Sequence, residues 1–141
     1  MSAFVSLSSL AASPLFLRRL LWLDAATGVA TGLLQLLLAD HLAALLGLPV
    51  ALLVASGWAL FGYVALISFI ATGAVIPRAL VGLLIVANGL WVLGCLVLLF
   101  GPLVAPTLLG KAFIGLQAVA VGLLAELQWF GLRKAPPQPA W

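Results

Sequence analysis

The fold is decided by residues 79–100, which read ALVGLLIVANGLWVLGCLVLLF. This stretch contains no charged residue, and the uncharged run continues as far as Lys111. A helix of about 20 apolar residues crosses the hydrocarbon core of a bilayer, so the segment is long enough to span a membrane. A second uncharged run separates Asp40 from Arg78. Both runs predict membrane-spanning helices.

The composition of the whole chain supports a membrane protein. Of its 141 residues, 66% are hydrophobic and 6% are charged, and the mean hydropathy is +1.36. A soluble domain needs far more charge on its surface. Within lipid, backbone groups are satisfied by helices or by closed barrels. Continuous apolar runs lack the alternation of barrel strands, so helices are expected.

Four spans are predicted, and turn-forming residues separate them. Gly73 and Pro77 lie at the second joint, and Gly101-Pro102 lies at the third. At the first joint, Asp40 is expected to N-cap a short helix that ends at Gly47-Leu48-Pro49. The predicted spans are residues 16–38, 51–71, 79–100 and 107–130.

The domain organisation follows from these spans. Residues 16–134 are expected to form a single four-helix transmembrane domain. Residues 1–15 lack the positive N-terminal region of a signal peptide and are expected to lie at the membrane interface. Residues 135–141 contain three prolines and are expected to form an extended cytoplasmic tail.

Basic residues predict the orientation of the bundle. With four spans, the two termini and the middle loop share one face of the membrane. That face carries five basic residues, whereas the other face carries only Lys111. Cytoplasmic loops hold the excess of lysine and arginine, so an all-α, up-down bundle with both termini inside is predicted. The five residues, which are candidates for contacts with lipid headgroups, are Arg18, Arg19, Arg78, Arg133 and Lys134.

Polar residues inside the spans are the candidates for function. Because polar groups avoid lipid, they are expected to face the bundle or a partner. In the first span they form one helical stripe through Asp24, Thr31 and Gln35. They would either hold helices together by hydrogen bonds or line a path for a small solute. The candidate polar cluster comprises Asp24, Thr31, Gln35, Ser56, Tyr63, Asn88 and Glu126.

The carboxylates Asp24 and Glu126 have two interpretations. Both lie at similar depth in the predicted bundle, so they could share a proton, as in a proton-coupled carrier. Alternatively, each pairs with a nearby arginine and fixes a helix end. Trp22 and Trp129 place both acids near the interface. We therefore favour pairing with arginine, from Arg18 or Arg19 for Asp24, and from Arg78 or Arg133 for Glu126.

Small residues predict where helices approach closely. Gly28 and Gly32 form a GxxxG motif in the first span. A second seam in the fourth span contains Gly115, Ala118 and Gly122. Packing within the chain is the favoured use of both, and contact between subunits is the second.

Other classes of function receive no support from the sequence. Phosphate-binding loops, nucleophile elbows and the spacings typical of metal sites are absent. The lone His41 and Cys95 cannot form a metal centre unaided, and Cys95 is expected to be a buried structural thiol. The six basic residues form no basic stripe, which disfavours nucleic acid as a partner. No catalytic residue, cofactor or metal is predicted, and the chain is not expected to be an enzyme.

Four motifs, in this order, resemble those of a bacterial family of small four-helix membrane proteins without an assigned activity. The resemblance spans about residues 16–134 and implies a multi-pass protein of the bacterial inner membrane. The motifs are Arg19-Leu20-Leu21-Trp22-Leu23-Asp24, Leu46-Gly47-Leu48-Pro49, Ala87-Asn88-Gly89-Leu90-Trp91-Val92 and Ala125-Glu126-Leu127-Gln128-Trp129-Phe130-Gly131-Leu132-Arg133.

Two functions remain open at this point. The first is a non-enzymatic accessory or assembly subunit that packs against other membrane helices in the lipid bilayer. Small size and small-residue seams favour it. The alternative is a small oligomeric proton-coupled transporter or channel for a small polar solute, which would use Asp24, Tyr63, Asn88 and Glu126.

Overall fold

The computed structural model describes residues 14–134. Residues 1–13 of the predicted interfacial segment and the predicted tail, residues 135–141, lie outside the described residues. Leu15, which was assigned to the interfacial segment, lies in the first helix.

The described residues form helices joined by short loops, and the predicted all-helical class is confirmed. Four of these helices are long and apolar enough to span a membrane. Their bounds lie within four residues of the predicted ones. The helices are α1 (Pro14–Leu37), α2 (Ala39–Leu46), α3 (Val50–Thr72), α4 (Arg78–Phe100) and α5 (Leu108–Lys134).

The short helix α2 ends as predicted and begins differently. Asp40 lies inside its first turn, and the N-cap position is Leu38, which makes no capping bond from its side chain. Asp40 is therefore not the cap. At the other end Gly47 has a φ of +67°, the left-handed region that favours glycine. Its amide donates to the carbonyl of Ala43, which closes the helix.

The main helix pairs are α1 with α3 and α4 with α5. The GxxxG motif lies in the first of these pairs. A Cβ atom at Gly28 would meet Cγ2 of Val64 at 2.7 Å, and one at Gly32 would meet the ring of Phe61 at 3.2 Å. These glycines let α1 approach α3 more closely than a side chain would permit.

The predicted seam in α5 is only partly used. A Cβ atom at Gly115 would meet nothing within 4 Å, so this glycine does not provide the favoured packing within the described chain, and its use in a subunit contact stays a prediction. Gly122 lies at ordinary contact distance from Val92, and Ala118 packs against a core cluster. The closest approach of α5 is instead at Gly110, where a Cβ atom would overlap the carbonyl oxygen of Leu46.

Each end of the bundle has its own apolar core. We call the end that carries Pro14 and Lys134 the terminal end, and the opposite end the α2 end. The core of the terminal end joins α1, α3 and α4 around Leu21, Ile67 and Leu84. The core of the α2 end contains Leu46 and Ile114. The two ends are thus closed by different sets of side chains.

Two contacts fix these ends. At the terminal end, Arg18 donates to the carbonyls of Ala71 and Gly73, which are at the end of α3. At the α2 end, the amide of Thr107 donates to the carbonyl of Leu46 at 2.9 Å, and its hydroxyl donates to Leu45 at 2.7 Å. The orientation of the bundle in a membrane stays a prediction.

Candidate functional site

The carboxylate of Asp24 joins all four spanning helices. Its Oδ2 atom accepts hydrogen bonds from the hydroxyl of Tyr63 at 2.8 Å, the amide of Asn88 at 3.2 Å and the amide of Gln128 at 2.5 Å. Asn88 also donates to the side-chain oxygen of Gln128 at 3.2 Å. We call these four side chains the Asp24 cluster.

The cluster is enclosed by protein. Asp24 and Asn88 are each 4% exposed, and Gln128 is 0% exposed. α1 positions Asp24 beside α3 because Gly28, one turn further along, lets the two helices meet. Tyr63 then reaches across from α3. Because the donors come from α3, α4 and α5, the network ties the two helix pairs together where their backbones contact little.

The two oxygens of Asp24 have different surroundings. All three donors bind Oδ2, and this carboxylate makes no other hydrogen bond with the residues that the structure describes. Within residues 14–134, no buried polar side-chain atom is left without a partner. Oδ1 is therefore accessible, and Asp24 lines a cavity. The carboxylate is anchored through one oxygen and presents the other.

The expected pairing of Asp24 with arginine is wrong. Arg18 binds carbonyls at the end of α3, and Arg19 is exposed. The partners of Asp24 are uncharged side chains. A carboxylate needs donors or a countercharge when it leaves water, and here only the donors are supplied within the described part of the chain.

Glu126 takes no part in the cluster. It is exposed, and it makes no ion pair or hydrogen bond with any residue between 14 and 134. Its predicted partner Arg133 lies over the ring of Trp129 at 4.7 Å, and Arg78 is exposed. The expected arginine pair of Glu126 is therefore wrong. The two acids do not touch either, which argues against a shared proton.

Gln128 is the member of the cluster that we did not predict. Glu126 lies two residues away, and about 200° separates residues two apart on a helix. The signal was nevertheless present, because Gln117 and Gln128 are eleven residues apart, the same spacing as Asp24 and Gln35. Both glutamines point into the bundle, where Gln117 accepts a hydrogen bond from Trp91 at 3.1 Å.

The cavity beside Asp24 lies between the four spans and has a volume of about 250 Å³. We call it the central cavity. Gly28, Ala59 and Ala87 keep it open, and the hydroxyl of Thr31 lies on its wall without a partner in the described chain. In the described part of the chain, no basic residue lines it. Its polar wall is formed by Asp24, Thr27, Thr31, Tyr63, Asn88 and Gln117.

A larger cavity lies toward the α2 end, with a volume of about 690 Å³. We call it the apolar cavity because apolar side chains form most of its wall. Two predicted polar residues meet on that wall, where Ser56 donates to the side chain of Gln35 at 2.7 Å. Cys95, buried as expected, also lines it.

The other predicted residues lie at the terminal end. Lys134 lies 5.8 Å from the ring of Phe130, next to the pair of Arg133 and Trp129. Among residues 14–134, no group of three or more side chains of the metal-binding types comes together. The buried polar groups that could bind a ligand are therefore concentrated at Asp24 and the cavity beside it.

Comparisons of the chain with models of known protein families, with curated proteins and with solved structures found no match.

Proposed function

We propose that this protein is a small membrane carrier that binds a cationic solute at Asp24 in the central cavity. The observation that carries the proposal is a carboxylate on the wall of a cavity, with three uncharged donors and no basic partner among residues 14–134. The proposal develops the transporter hypothesis from the sequence, because the polar side chains line the central cavity as well as binding one another.

Electrostatics favours a cation as the solute. Three donors on Oδ2 compensate part of the cost of removing a carboxylate from water, and a positive ligand at Oδ1 would compensate more. Asp24 lies near the middle of α1 rather than at the helix end that Trp22 suggested, and an aspartate at the centre of a membrane costs about 2.5–3.5 kcal/mol on insertion scales. An asparagine at position 24 would tie the helices together at a lower cost. Binding of a cation by the negative charge therefore explains an aspartate at position 24 better than helix packing does.

Aromatic side chains fit the same solute. Tyr63 and Trp91 both line the central cavity. Aromatic faces attract organic cations, and tryptophan does so most strongly. A carboxylate oxygen together with these rings suits a small ammonium ion.

The setting of this carrier follows from the sequence. We place both termini and the loop of residues 73–77 in the cytoplasm, because five of the six basic residues lie on that side. The resemblance to small bacterial proteins favours the inner membrane.

The test is charge translocation by the full chain in liposomes. Proteoliposomes on a solid-supported membrane are exposed to steps in the concentration of methylammonium and ethanolammonium, and the transient current is recorded. Wild type should give a saturable current, and Asp24→Asn should abolish it because the amide removes the negative charge.

Glu126→Gln is the matched control, since it neutralises an acid of the spans that lies outside the cluster. It should keep the current of the wild-type protein. Helical circular dichroism and gel-filtration behaviour verify that both variants are folded. An Asp24→Asn variant that is folded and still gives the wild-type current would refute the proposal.

A second candidate is the accessory subunit that we favoured from the sequence. One observation supports it: Cβ atoms at Gly62, Gly89 and Gly115 would meet nothing within 4 Å. These glycines are not used for packing inside the chain, and helices of a partner could approach there. The mass of the particle solubilised from its native membrane separates the two functions, because a complex with other proteins supports the subunit.

A further inference from the structure

We propose that the cation bound at Asp24 is a lipophilic amine, whose ammonium group occupies the central cavity and whose hydrocarbon part occupies the apolar cavity. This inference rests on the proposed function and specifies its substrate class. It is carried by the adjacency of a charged cavity and a larger uncharged one.

The two cavities are neighbours. Ala87, Trp91 and Gln117 line both of them. The hydrogen bond from Trp91 to Gln117 lies at this boundary, and it joins α4 to α5 at 3.1 Å. A ligand that lies between Trp91 and α3 would contact both cavities at once. Ala87, which lies at the same boundary, has only a methyl group as its side chain.

The apolar cavity lies beside a gap between α3 and α4. These two helices pack together least among the neighbouring pairs of spans. Near their connecting loop they are held by the core of the terminal end, with Ile70, Ile76 and Val81. Further along, Leu90 and Leu93 line the cavity although they are 63% and 56% exposed. The cavity therefore opens sideways, toward the surface that faces lipid in the proposed setting.

Another part of the wall of the apolar cavity is buried core, formed by Leu48, Leu53 and Ile114 of the α2 end. We expect a ligand to reach this space from the bilayer, through the opening between α3 and α4. Entry from the bilayer selects molecules that partition into lipid, whereas Asp24 selects positive charge.

The size of the space agrees with a ligand of this kind. Cavities of about 300–1,000 Å³ bind small molecules, and the apolar cavity falls within this range on its own. On its wall, Ser56 donates to the side-chain oxygen of Gln35 and Trp91 donates to that of Gln117. The rest of the wall is mainly apolar, so an apolar tail would lie chiefly against hydrocarbon groups.

The experiment measures equilibrium binding to the full chain in nanodiscs of phosphatidylcholine, with empty nanodiscs as the blank. The radiolabelled probes are octylamine, octanol and methylammonium. Octylamine carries tail and charge, octanol carries the tail alone, and methylammonium carries the charge alone. We expect octylamine to bind at least about tenfold more tightly than either of the other two.

Two glycines of α4 provide matched variants for the tail. Gly94 lines the apolar cavity, whereas Gly89 lines neither cavity, and a Cβ atom at either would meet nothing within 4 Å. Gly94→Leu should fill the apolar cavity and weaken octylamine binding about tenfold, and it should leave methylammonium binding unchanged. Gly89→Leu should change neither.

The outcomes separate this inference from the proposed function. If methylammonium binds through Asp24 and octylamine binds no more tightly, the site takes a small cation and this inference is refuted. If octanol binds as tightly as octylamine and Asp24→Asn changes neither, the space holds neutral lipid, and both proposals fail. Octylamine binding that is weakened about tenfold or more in both Asp24→Asn and Gly94→Leu, each with a wild-type unfolding midpoint, supports both.

Discussion

The close approach of α5 to α2 at Gly110 provides a prediction about stability. Gly110 lies in the first turn of α5, where its amide donates to the hydroxyl of Thr107 at 3.0 Å. A methyl group there would overlap the carbonyl oxygen of Leu46 and come within 3.0 Å of Pro106. A carbonyl in a helix cannot rotate away as a side chain does. Gly110→Ala therefore has to push α5 away from α2.

The size of the effect follows from two opposing terms. Overpacking of a buried site costs about 1–3 kcal/mol, and a rigid backbone neighbour places this site near the upper end. Alanine gains about 1 kcal/mol over glycine in a helix. Gly110→Ala should therefore lower the free energy of unfolding by about 2 kcal/mol, an estimate that combines both ranges. Gly115→Ala in the same helix meets no neighbour and should be neutral or stabilising.

The assay is unfolding of the detergent-solubilised protein by increasing mole fractions of sodium dodecyl sulfate, followed by helical circular dichroism. The pair of variants is informative because both make the same chemical change in one helix. The structure requires Gly110→Ala to unfold at a clearly lower mole fraction than Gly115→Ala. Equal midpoints for the two variants would refute the close approach of α5 to α2.

Two further predictions concern the basic residues. Arg18→Leu removes the donor to the carbonyls of Ala71 and Gly73, and it should lower the unfolding free energy by about 1 kcal/mol, whereas Arg19→Leu at an exposed position should stay within about 0.5 kcal/mol of wild type. The same detergent titration measures both, and equal losses would contradict the contact of Arg18. The five-to-one count of basic residues predicts that cysteines introduced at position 3 and position 138 are shielded from impermeant maleimide in intact cells. Labelling of either from outside would overturn the predicted orientation.

Features that depend on one helix at a time could be predicted from the sequence. Length and hydropathy place the four spans, because lipid imposes both on any spanning helix. The left-handed Gly47 and the glycines at 28 and 32 could also be recognised, since turn and packing preferences are local. Gly110 could not be distinguished from Gly115 in this way. What separates them is the position of Leu46 on another helix.

Partners in the Asp24 cluster depend on the assembled bundle. The sequence predicted that Tyr63 and Asn88 belong to a polar cluster with Asp24, but which amide of α5 faces Asp24 depends on the rotation of that helix. The arginine pairing was wrong for a reason that helix geometry explains. Arg18 precedes Asp24 by six residues, which puts it about 9 Å away along the axis and about 240° around it. Side chains three or four residues apart meet on a helix, and those six apart do not.

Asp24 and Glu126 show how one residue type acquires different roles within the same spans. Glu126 is exposed and belongs to the last three turns of α5, near Arg133 and Lys134, where an acidic side chain can reach the headgroup region. Asp24 lies 10 residues into α1 and is buried. The bundle supplies three donors to one of its oxygens, and among residues 14–134 no basic side chain pairs with the other. An acid at that depth, anchored through one oxygen and beside a cavity, is what the proposed binding of a positive ligand requires. Neutralising Asp24 should therefore affect ligand binding first and helix packing second.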